Sequence, residues 1–207
     1  SLLKNKRRIS LRQLKYGNSE TRVAVTILLF VICSWSVPAQ ENIQFRVACW
    51  NTENLFDTRH DSLKNDYEFL PNAIRHWNYN RYKKKLSDIA RVITAIGEWN
   101  PPALIGLCEV ENDTVLRDLT RRSPLQELDY RYVITDSPDL RGIDVALIYQ
   151  RDLFKLLSSR SISIPVFRQH RPTRDLLHVN GLLLTGDTLD VFVCHLPSRS
   201  GGAKESE

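Results

Sequence analysis

Methionine is absent from this 207-residue chain, even at position 1, and internal repeats and low-complexity segments are absent too. We therefore expect that the sequence starts either in a mis-set reading frame or at the edge of a fragment. Its length allows one domain with a full core, or two at most. Cysteine is scarce. The segment after residue 39 keeps Cys49, Cys108 and Cys194, and this odd number argues against a disulfide framework. Because each of them lies in an apolar strand-like run, we expect buried free thiols.

An excess of basic charge is absent from most of the chain. The formal net charge is +5, but seven of the 29 basic residues and only one of the 24 acidic residues lie in residues 1–39. The remaining 22 basic and 23 acidic residues give residues 40–207 a net charge of −1. The overall basicity belongs to the N-terminal segment and does not indicate a nucleic-acid partner.

Residues 1–39 have the organisation of a secretion signal. A basic region precedes the apolar run 23–37, and Val37-Pro38-Ala39 is an acceptable cleavage site. The run is short for a membrane span and typical of the apolar region of a signal peptide. We expect export to the periplasm or the extracellular space, with cleavage after Ala39. An uncleaved N-terminal anchor through residues 23–37 is the open alternative.

The next part of the chain has the pattern of a strand–loop–helix–strand unit. Alternating side chains mark a first strand over residues 43–49, and residues 57–77 lack a period and predict a long loop. A helix over residues 81–99 follows from apolar residues at helical spacing: Tyr82, Leu86, Ile89, Ile93 and Ile96. The lysines at 83–85 are interpreted as a solvated helix end, with a phosphate-binding patch as the alternative. Ala103–Cys108 predicts a strand buried on both faces.

Strands dominate the remainder of the sequence. Asp113 is the expected N-cap of a short helix over residues 114–122. Further strands are predicted over residues 130–135, 144–149, 154–164, 176–184 and 189–195, with a hairpin turn at 185–188. One long helix followed by many strands favours an α+β sandwich over a doubly wound parallel sheet.

Polar residues that could bind a metal or take part in catalysis stand at three predicted strand ends. Asn51 follows the first strand, Glu109 follows the buried second strand, and His195 ends the last. A carboxylate at the end of a buried strand is costly unless a cation such as Mg²⁺, Mn²⁺ or Ca²⁺ neutralises it. Taken alone, Glu109 is also compatible with an ordinary surface carboxylate. Arg141 and Asp144, which flank the start of another strand, are explained equally well by an ion pair that braces the strand.

Together these segments resemble the endonuclease/exonuclease/phosphatase superfamily, the deoxyribonuclease-I-like fold, over residues 43–204. The resemblance lies in Asn51 of WNTEN, Glu109 of PPALIGLCEVEN, RGIDVALIY at 141–149, and His195 of VFVCHLPSRSGG. It implies a four-layer α/β/β/α sandwich, with the active site at one end of its two sheets. It also implies a divalent-metal-dependent hydrolase of phosphodiesters or phosphomonoesters, nucleases included.

The same resemblance assigns expected roles to individual residues. Glu109 would carry the metal, Mg²⁺ or Mn²⁺, and Asn51 would help to place the metal or a phosphate oxygen. His195 would contact the scissile phosphate, which makes these three the expected catalytic residues. Further phosphate contacts are expected from Ser198, Arg199 and Arg141.

Two later motifs of the family, a Gly-Asp-x-Asn strand end and a Ser-Asp-His near the C-terminus, do not occur before Glu207. Residues 40–207 are therefore predicted to be the N-terminal portion of the domain, and this chain alone is predicted to be inactive. For the complete protein we predict an exported monomeric phosphoesterase. Its partner would be a phosphate-ester substrate, with nucleic acid as one option, and only an uncleaved leader would contact a membrane. The alternatives are a noncatalytic binding domain that retains the fold, and an unrelated fold with chance matches.

Overall fold

The computed structural model describes residues 44–165 and 173–196, which lie within one unit, Gln44–Glu207. Sheet A has the strand order β1-β2-β4-β3, formed by β1 (Val47–Leu55), β2 (Leu104–Val110), β3 (Arg131–Ile134) and β4 (Asp144–Tyr149). Sheet B contains β5 (Phe154–Ile162), β6 (Leu176–Leu183) and β7 (Thr188–Val193) in chain order. The α-helices are α1 (Tyr79–Gly97) and α2 (Asp113–Arg121), and short 3-10 helices span Tyr67–Phe69 and Pro124–Leu128.

Strand β2 is the centre of the structure because both of its faces are buried. Ile105 and Leu107 belong to a core shared with α1 and α2, whereas Leu104 and Cys108 belong to a core shared with sheet B. Successive side chains of a strand point to opposite faces, so an almost continuous apolar run can serve two cores. The described part of the chain consequently forms three layers, which are the helices, sheet A and sheet B.

The pairing of the strands agrees with the predicted strand–helix–strand unit. Strands β1 and β2 are parallel and are joined through α1, while β4 is antiparallel to both β2 and β3. The predicted α+β class with two sheets is confirmed. Sheet B has exposed side chains such as Leu157 and Phe192 on its outer face. A helical layer over that face, the fourth layer of the expected sandwich, is not among the described residues.

Gly181 of β6 is required by the packing inside sheet B. A β-carbon built on Gly181 would lie 2.1 Å from Cζ of Phe154, a fully buried residue of β5. Real non-bonded carbons do not approach so closely, so the phenyl ring occupies the space that any side chain here would need. The pair therefore fixes how β5 and β6 pack on the inner side.

Three expectations from the sequence need correction. The first strand begins at Val47, not residue 43, and continues through Asn51 to Leu55. Helix α2 is capped by Asn112, whose side chain accepts a hydrogen bond from the backbone N–H of Val115, and not by Asp113. The three cysteines are free as expected, but only Cys108 is buried, since Cys49 and Cys194 are exposed. Within the described ranges, none of the helices combines the length and apolar character needed to cross a membrane.

Candidate active site

Strands β1 and β2 both depart from regular geometry at the level of the predicted site. The register between them shifts between Asn51 and Leu55, where Glu53 and Asn54 have φ values of 55° and 63°. In β2, Glu109 has a φ of 60°, and the register with β4 shifts at the same residue. Bulges of this kind re-aim a side chain, and left-handed conformations outside glycine are uncommon and often functional.

The Glu109 carboxylate is held by groups from both sheets. Its Oε2 atom accepts a hydrogen bond from the backbone N–H of Asn54 at 2.9 Å, and its Oε1 atom lies 3.2 Å from Nε2 of His195. The side chain is only 14% exposed. Behind it, the hydroxyl of Thr52 donates to the backbone oxygen atoms of Cys108 and Glu109 at 2.8 and 3.1 Å. The carboxylate is thus fixed in place, yet each of its oxygens keeps a lone pair for a further partner.

His195 follows β7 and reaches Glu109 from sheet B. Burial lowers the pKa of its imidazole, and the positive charges of Arg174 and Arg141 lower it further, although the nearby Glu109 carboxylate acts in the opposite direction. A lowered pKa leaves the ring neutral at neutral pH. Contact with the carboxylate is then a hydrogen bond in which Nε2–H donates to Glu109.

Asn51 lies on β1 directly across from Cys108, the neighbour of Glu109. Its side chain is exposed, and its Oδ1 atom accepts a hydrogen bond from the backbone N–H of Glu53 at 2.8 Å. The structure therefore brings Asn51, Glu109 and His195 to one corner, where Asn51 lies within β1, Glu109 lies near the end of β2 and His195 follows β7.

Arg141 lies in the loop between β3 and β4. Its side chain is 56% exposed, with Nε 3.7 Å from Oδ1 of Asp139, and its charge contributes to the lowered pKa of His195. The alternative of an ion pair with Asp144 is wrong. Asp144 is buried, and its Oδ1 atom accepts hydrogen bonds from the Thr135 hydroxyl and the Ser137 backbone N–H. The other two expected phosphate contacts, Ser198 and Arg199, lie outside the described residues.

Two further cationic side chains support this corner, of which the sequence pattern had indicated only Lys85, and that in another role. Lys85 of α1 donates from Nζ to the backbone oxygens of Glu53 and Asn54 at 2.6 and 3.0 Å, and burial lowers its pKa. The interpretation of Lys83–Lys85 as a wholly solvated helix end is therefore wrong for Lys85. Arg174, just before β6, donates to the backbone oxygen of His195. The sequence gives little signal for either, because each acts on backbone atoms that are distant along the chain.

The donor atoms at this corner suit a hard divalent cation. Carboxylate and amide oxygens are the ligands that Mg²⁺ prefers, and Mg²⁺ is commonly held by one or two carboxylates together with water and substrate phosphate. Glu109 provides the carboxylate and Asn51 an amide oxygen. Over the described ranges, there is no cluster of three or more histidine, cysteine, aspartate or glutamate side chains arranged to hold a metal on their own. The residues present therefore fit a divalent-cation site in which water and a substrate phosphate provide the remaining ligands.

Comparison with known protein families shows which family this chain belongs to. The profile of the endonuclease/exonuclease/phosphatase family matches residues 46–207. The chain belongs to this family. The match covers most of the chain and excludes the reading of an unrelated fold with chance matches. A comparison with curated proteins found no match.

Solved structures of this family include similar folds. A mannosyl-6-phosphatase from Bacteroides thetaiotaomicron has 17% sequence identity and a TM-score of 0.52, over 78% of this chain and 54% of that one. Zebrafish (D. rerio) TDP2, humanized by 14 mutations, has 20% identity and a TM-score of 0.48, over 78% and 51%. The catalytic domain of human Nocturnin has 24% identity and a TM-score of 0.43, over 57% and 44%. The chain thus spans about half the length of these structures.

Proposed function

We propose that the complete protein is an exported, divalent-metal-dependent phosphoesterase that hydrolyses phosphodiester or phosphomonoester bonds. The family comprises nucleases and phosphatases, which supports hydrolysis of phosphate esters as the general reaction. The observation that carries the proposal is the contact between Glu109 and His195. A carboxylate from the central strand of sheet A and an imidazole from sheet B lie 3.2 Å apart at a corner that also contains Asn51.

The side chains at this corner match the needs of phosphoryl transfer. Glu109, with Asn51 beside it, would hold Mg²⁺ or Mn²⁺, and the bound cation would polarise a phosphate oxygen and neutralise its charge. A neutral His195 has a single N–H, on Nε2, which would turn from Glu109 to a phosphate oxygen once a cation occupies the carboxylate. The exposed guanidinium of Arg141 suits an anionic substrate that approaches from solvent. Ser198 and Arg199 would add further donors to the same phosphate.

Hydrolysis of chromogenic esters by the complete protein tests this function. Bis(p-nitrophenyl) phosphate and p-nitrophenyl phosphate would be assayed with Mg²⁺, with Mn²⁺ and with EDTA. Wild type would be compared with Glu109→Ala and His195→Ala, and Glu127→Ala, an exposed carboxylate in the Pro124–Leu128 turn, is the matched control. We expect metal-dependent turnover that only the two site substitutions lower, each by at least about a hundredfold. Turnover that persists in EDTA, or that Glu109→Ala leaves intact, would refute the proposal.

The second candidate is a noncatalytic domain that retains the fold and binds a ligand. It would keep the sheets and lose the chemistry, so a folded wild-type protein without turnover on either ester or on plasmid DNA would favour it. The intact Asn51, Glu109 and His195 side chains are the observation against it. The same assay also indicates the class of natural substrate. Faster turnover of the diester than of the monoester points to nuclease-like or other phosphodiester substrates.

Export is proposed from the sequence of residues 1–39 alone. Mass spectrometry of the protein secreted by a suitable host would give Gln40, or its cyclised pyroglutamate form, as the first residue if the leader is cleaved after Ala39. A protein that stays in the membrane fraction with an intact N-terminus would instead support the anchor over residues 23–37. Recovery in the cytoplasm with an intact N-terminus would overturn both versions.

A further inference from the structure

Arg174 is a buried arginine that contacts the backbone of a site residue. Its side chain is only 7% exposed, and its Nε and Nη2 atoms donate to the backbone oxygen of His195 at 3.1 and 2.8 Å. Two parallel N–H groups from a planar guanidinium fix an acceptor in both distance and direction. The carbonyl of His195 is therefore held by the fork of one side chain.

Asp139 provides the opposite charge that allows Arg174 to be buried. Its Oδ2 atom lies 3.1 Å from Nη1 of Arg174, and its side chain is 6% exposed. The other carboxylate oxygen accepts the backbone N–H of Arg141 at 2.7 Å, and the backbone oxygen of Asp139 accepts from Nζ of Lys64 at 3.2 Å. A buried ion pair whose polar atoms are satisfied in this way is a rigid anchor, whereas removal of one partner leaves an uncompensated charge.

The anchor connects the two sheets at the catalytic corner. Asp139 lies in the β3–β4 loop of sheet A, and His195 is on the segment that leaves β7 of sheet B. The imidazole must reach Glu109, which belongs to β2 of sheet A. Since the ring is attached to the backbone that Arg174 holds, a change at Arg174 shifts the ring relative to Glu109. Displacements of about 1 Å at an active site can lower a rate about a hundredfold.

We propose that Arg174, with Asp139 as its counter-ion, is the positioning residue that keeps the imidazole of His195 against Glu109. Arg174 acts through the backbone and touches neither substrate nor reacting atoms. The inference rests on the proposed function, because His195 is the group whose position matters. Lysine is a poor replacement because a single ammonium group lacks the planar fork that serves the carbonyl and the carboxylate together.

Nuclear magnetic resonance of the histidine rings tests the positioning without any need for activity. Arg174→Gln and Arg174→Lys would be compared with Arg160→Gln, a matched control on β5 whose Nε atom lies 3.0 Å from Nδ1 of His178. At a pH where the ring is neutral, we expect Arg174→Gln and the charge-preserving Arg174→Lys both to move the ring signals of His195 and to leave those of His178 in place. Arg160→Gln should do the reverse. Unmoved His195 signals in a folded Arg174→Gln protein would overturn the proposal.

Kinetics of the complete protein supply the second readout. Arg174→Gln should lower kcat at least about tenfold with KM changed by less than about threefold, because the loss concerns the geometry of the reaction and not substrate binding. Added to His195→Ala, the same change should lower kcat no further, since its effect passes through His195. An equal loss in both backgrounds would contradict this route. If wild type hydrolyses no ester, the proposed function fails, while the ring signals still decide the positioning.

A measurement on the wild-type protein covers the case in which the variants do not fold. A buried Nε–H that donates to a carbonyl exchanges slowly with solvent, so the Nε–H signal of Arg174 should be protected at neutral pH. The Nε–H of Arg151, an exposed arginine, should exchange rapidly and serves as the internal control. Equally fast exchange at Arg174 would show that the anchor does not exist.

Discussion

Nε2 of His195 lies 3.2 Å from Oε1 of Glu109, so that the segment after β7 of sheet B contacts the central strand of sheet A. The two residues do not hold this contact alone. The backbone N–H of Asn54 fixes the carboxylate from one side, and Arg174 fixes the backbone of His195 from the other. The site is consequently sensitive to residues that never touch a substrate.

Lys85 stabilises the turn that holds the Glu109 carboxylate. Its ammonium group donates to the backbone oxygens of Glu53 and Asn54, which form the left-handed turn that presents the Asn54 N–H to Glu109. Replacement by glutamine should lower the free energy of unfolding by about 1–2 kcal/mol, because hydrogen bonds from a charged donor are lost. Urea denaturation measures this. Lys84→Gln, which removes an exposed pair with Asp88, should cost less than about 0.5 kcal/mol. Equal effects of the two changes would contradict the assigned support.

Glu111 makes the stability of the fold depend on pH. Burial is the main reason that its pKa rises to about 8 from the usual 4.5, and it outweighs the hydrogen bond from the Asp57 backbone. Between these two values the folded state binds more protons than the unfolded state, so the free energy of unfolding should fall as pH rises from about 4.5 to about 8. Glu111→Gln should remove this part of the slope. Urea titrations in EDTA at several pH values test it, and identical slopes for both proteins would refute it.

The imidazole of His195 should titrate below its usual pKa of 6.5, mainly because it is buried. Glu109→Gln should lower the pKa further, since the carboxylate favours the charged ring, and Arg141→Gln should raise it, since the guanidinium opposes that charge. Ring signals followed over a pH series in EDTA measure all three values. A wild-type pKa above 6.5, or an increase in Glu109→Gln, would contradict the described electrostatics.

Gly181→Ala should destabilise sheet B. Alanine in place of glycine commonly stabilises a strand through chain entropy, but here the added methyl group would meet the ring of Phe154 at 2.1 Å. We expect the free energy of unfolding to fall by about 1–3 kcal/mol, as for other overpacked cores. Ser159→Ala, at an exposed position of β5, is the control and should change it by less than about 0.5 kcal/mol. A neutral or stabilising Gly181→Ala would contradict the packing.

The order and type of the elements could be predicted from the sequence because they depend on local patterns. The apolar run before Glu109 is a strand buried on both faces, and the 3.6-residue spacing after residue 80 is a helix that joins parallel strands. Boundaries were less predictable. Strand β1 continues through the polar WNTEN segment because Thr52 bonds across to β2, a long-range contact that an alternation pattern does not contain.

The candidate site could be predicted only where a residue stands at a strand end. Asn51, Glu109 and His195 each stand at a strand end that the sequence predicts, and the structure places them together, although Asn51 lies inside β1. Arg174 and Lys85 donate to backbone carbonyls that are distant along the chain. Asp139, the counter-ion of Arg174, lies in a polar loop that carries no recognisable pattern. No local pattern distinguishes such residues from ordinary surface charges, because their role arises only when the two sheets and α1 have packed.

The most direct test of the central claim is the Mg²⁺ dependence of diester hydrolysis by the complete protein. Initial rates on bis(p-nitrophenyl) phosphate would be measured against Mg²⁺ concentration for wild type, Glu109→Gln and the exposed control Glu127→Gln. We expect saturable activation in wild type and control, and a loss of at least about a hundredfold in Glu109→Gln, because the isosteric amide keeps the shape of the corner and removes the charge that holds the cation. Wild-type activation by Mg²⁺ that survives in Glu109→Gln would contradict the assignment of this carboxylate as the metal ligand.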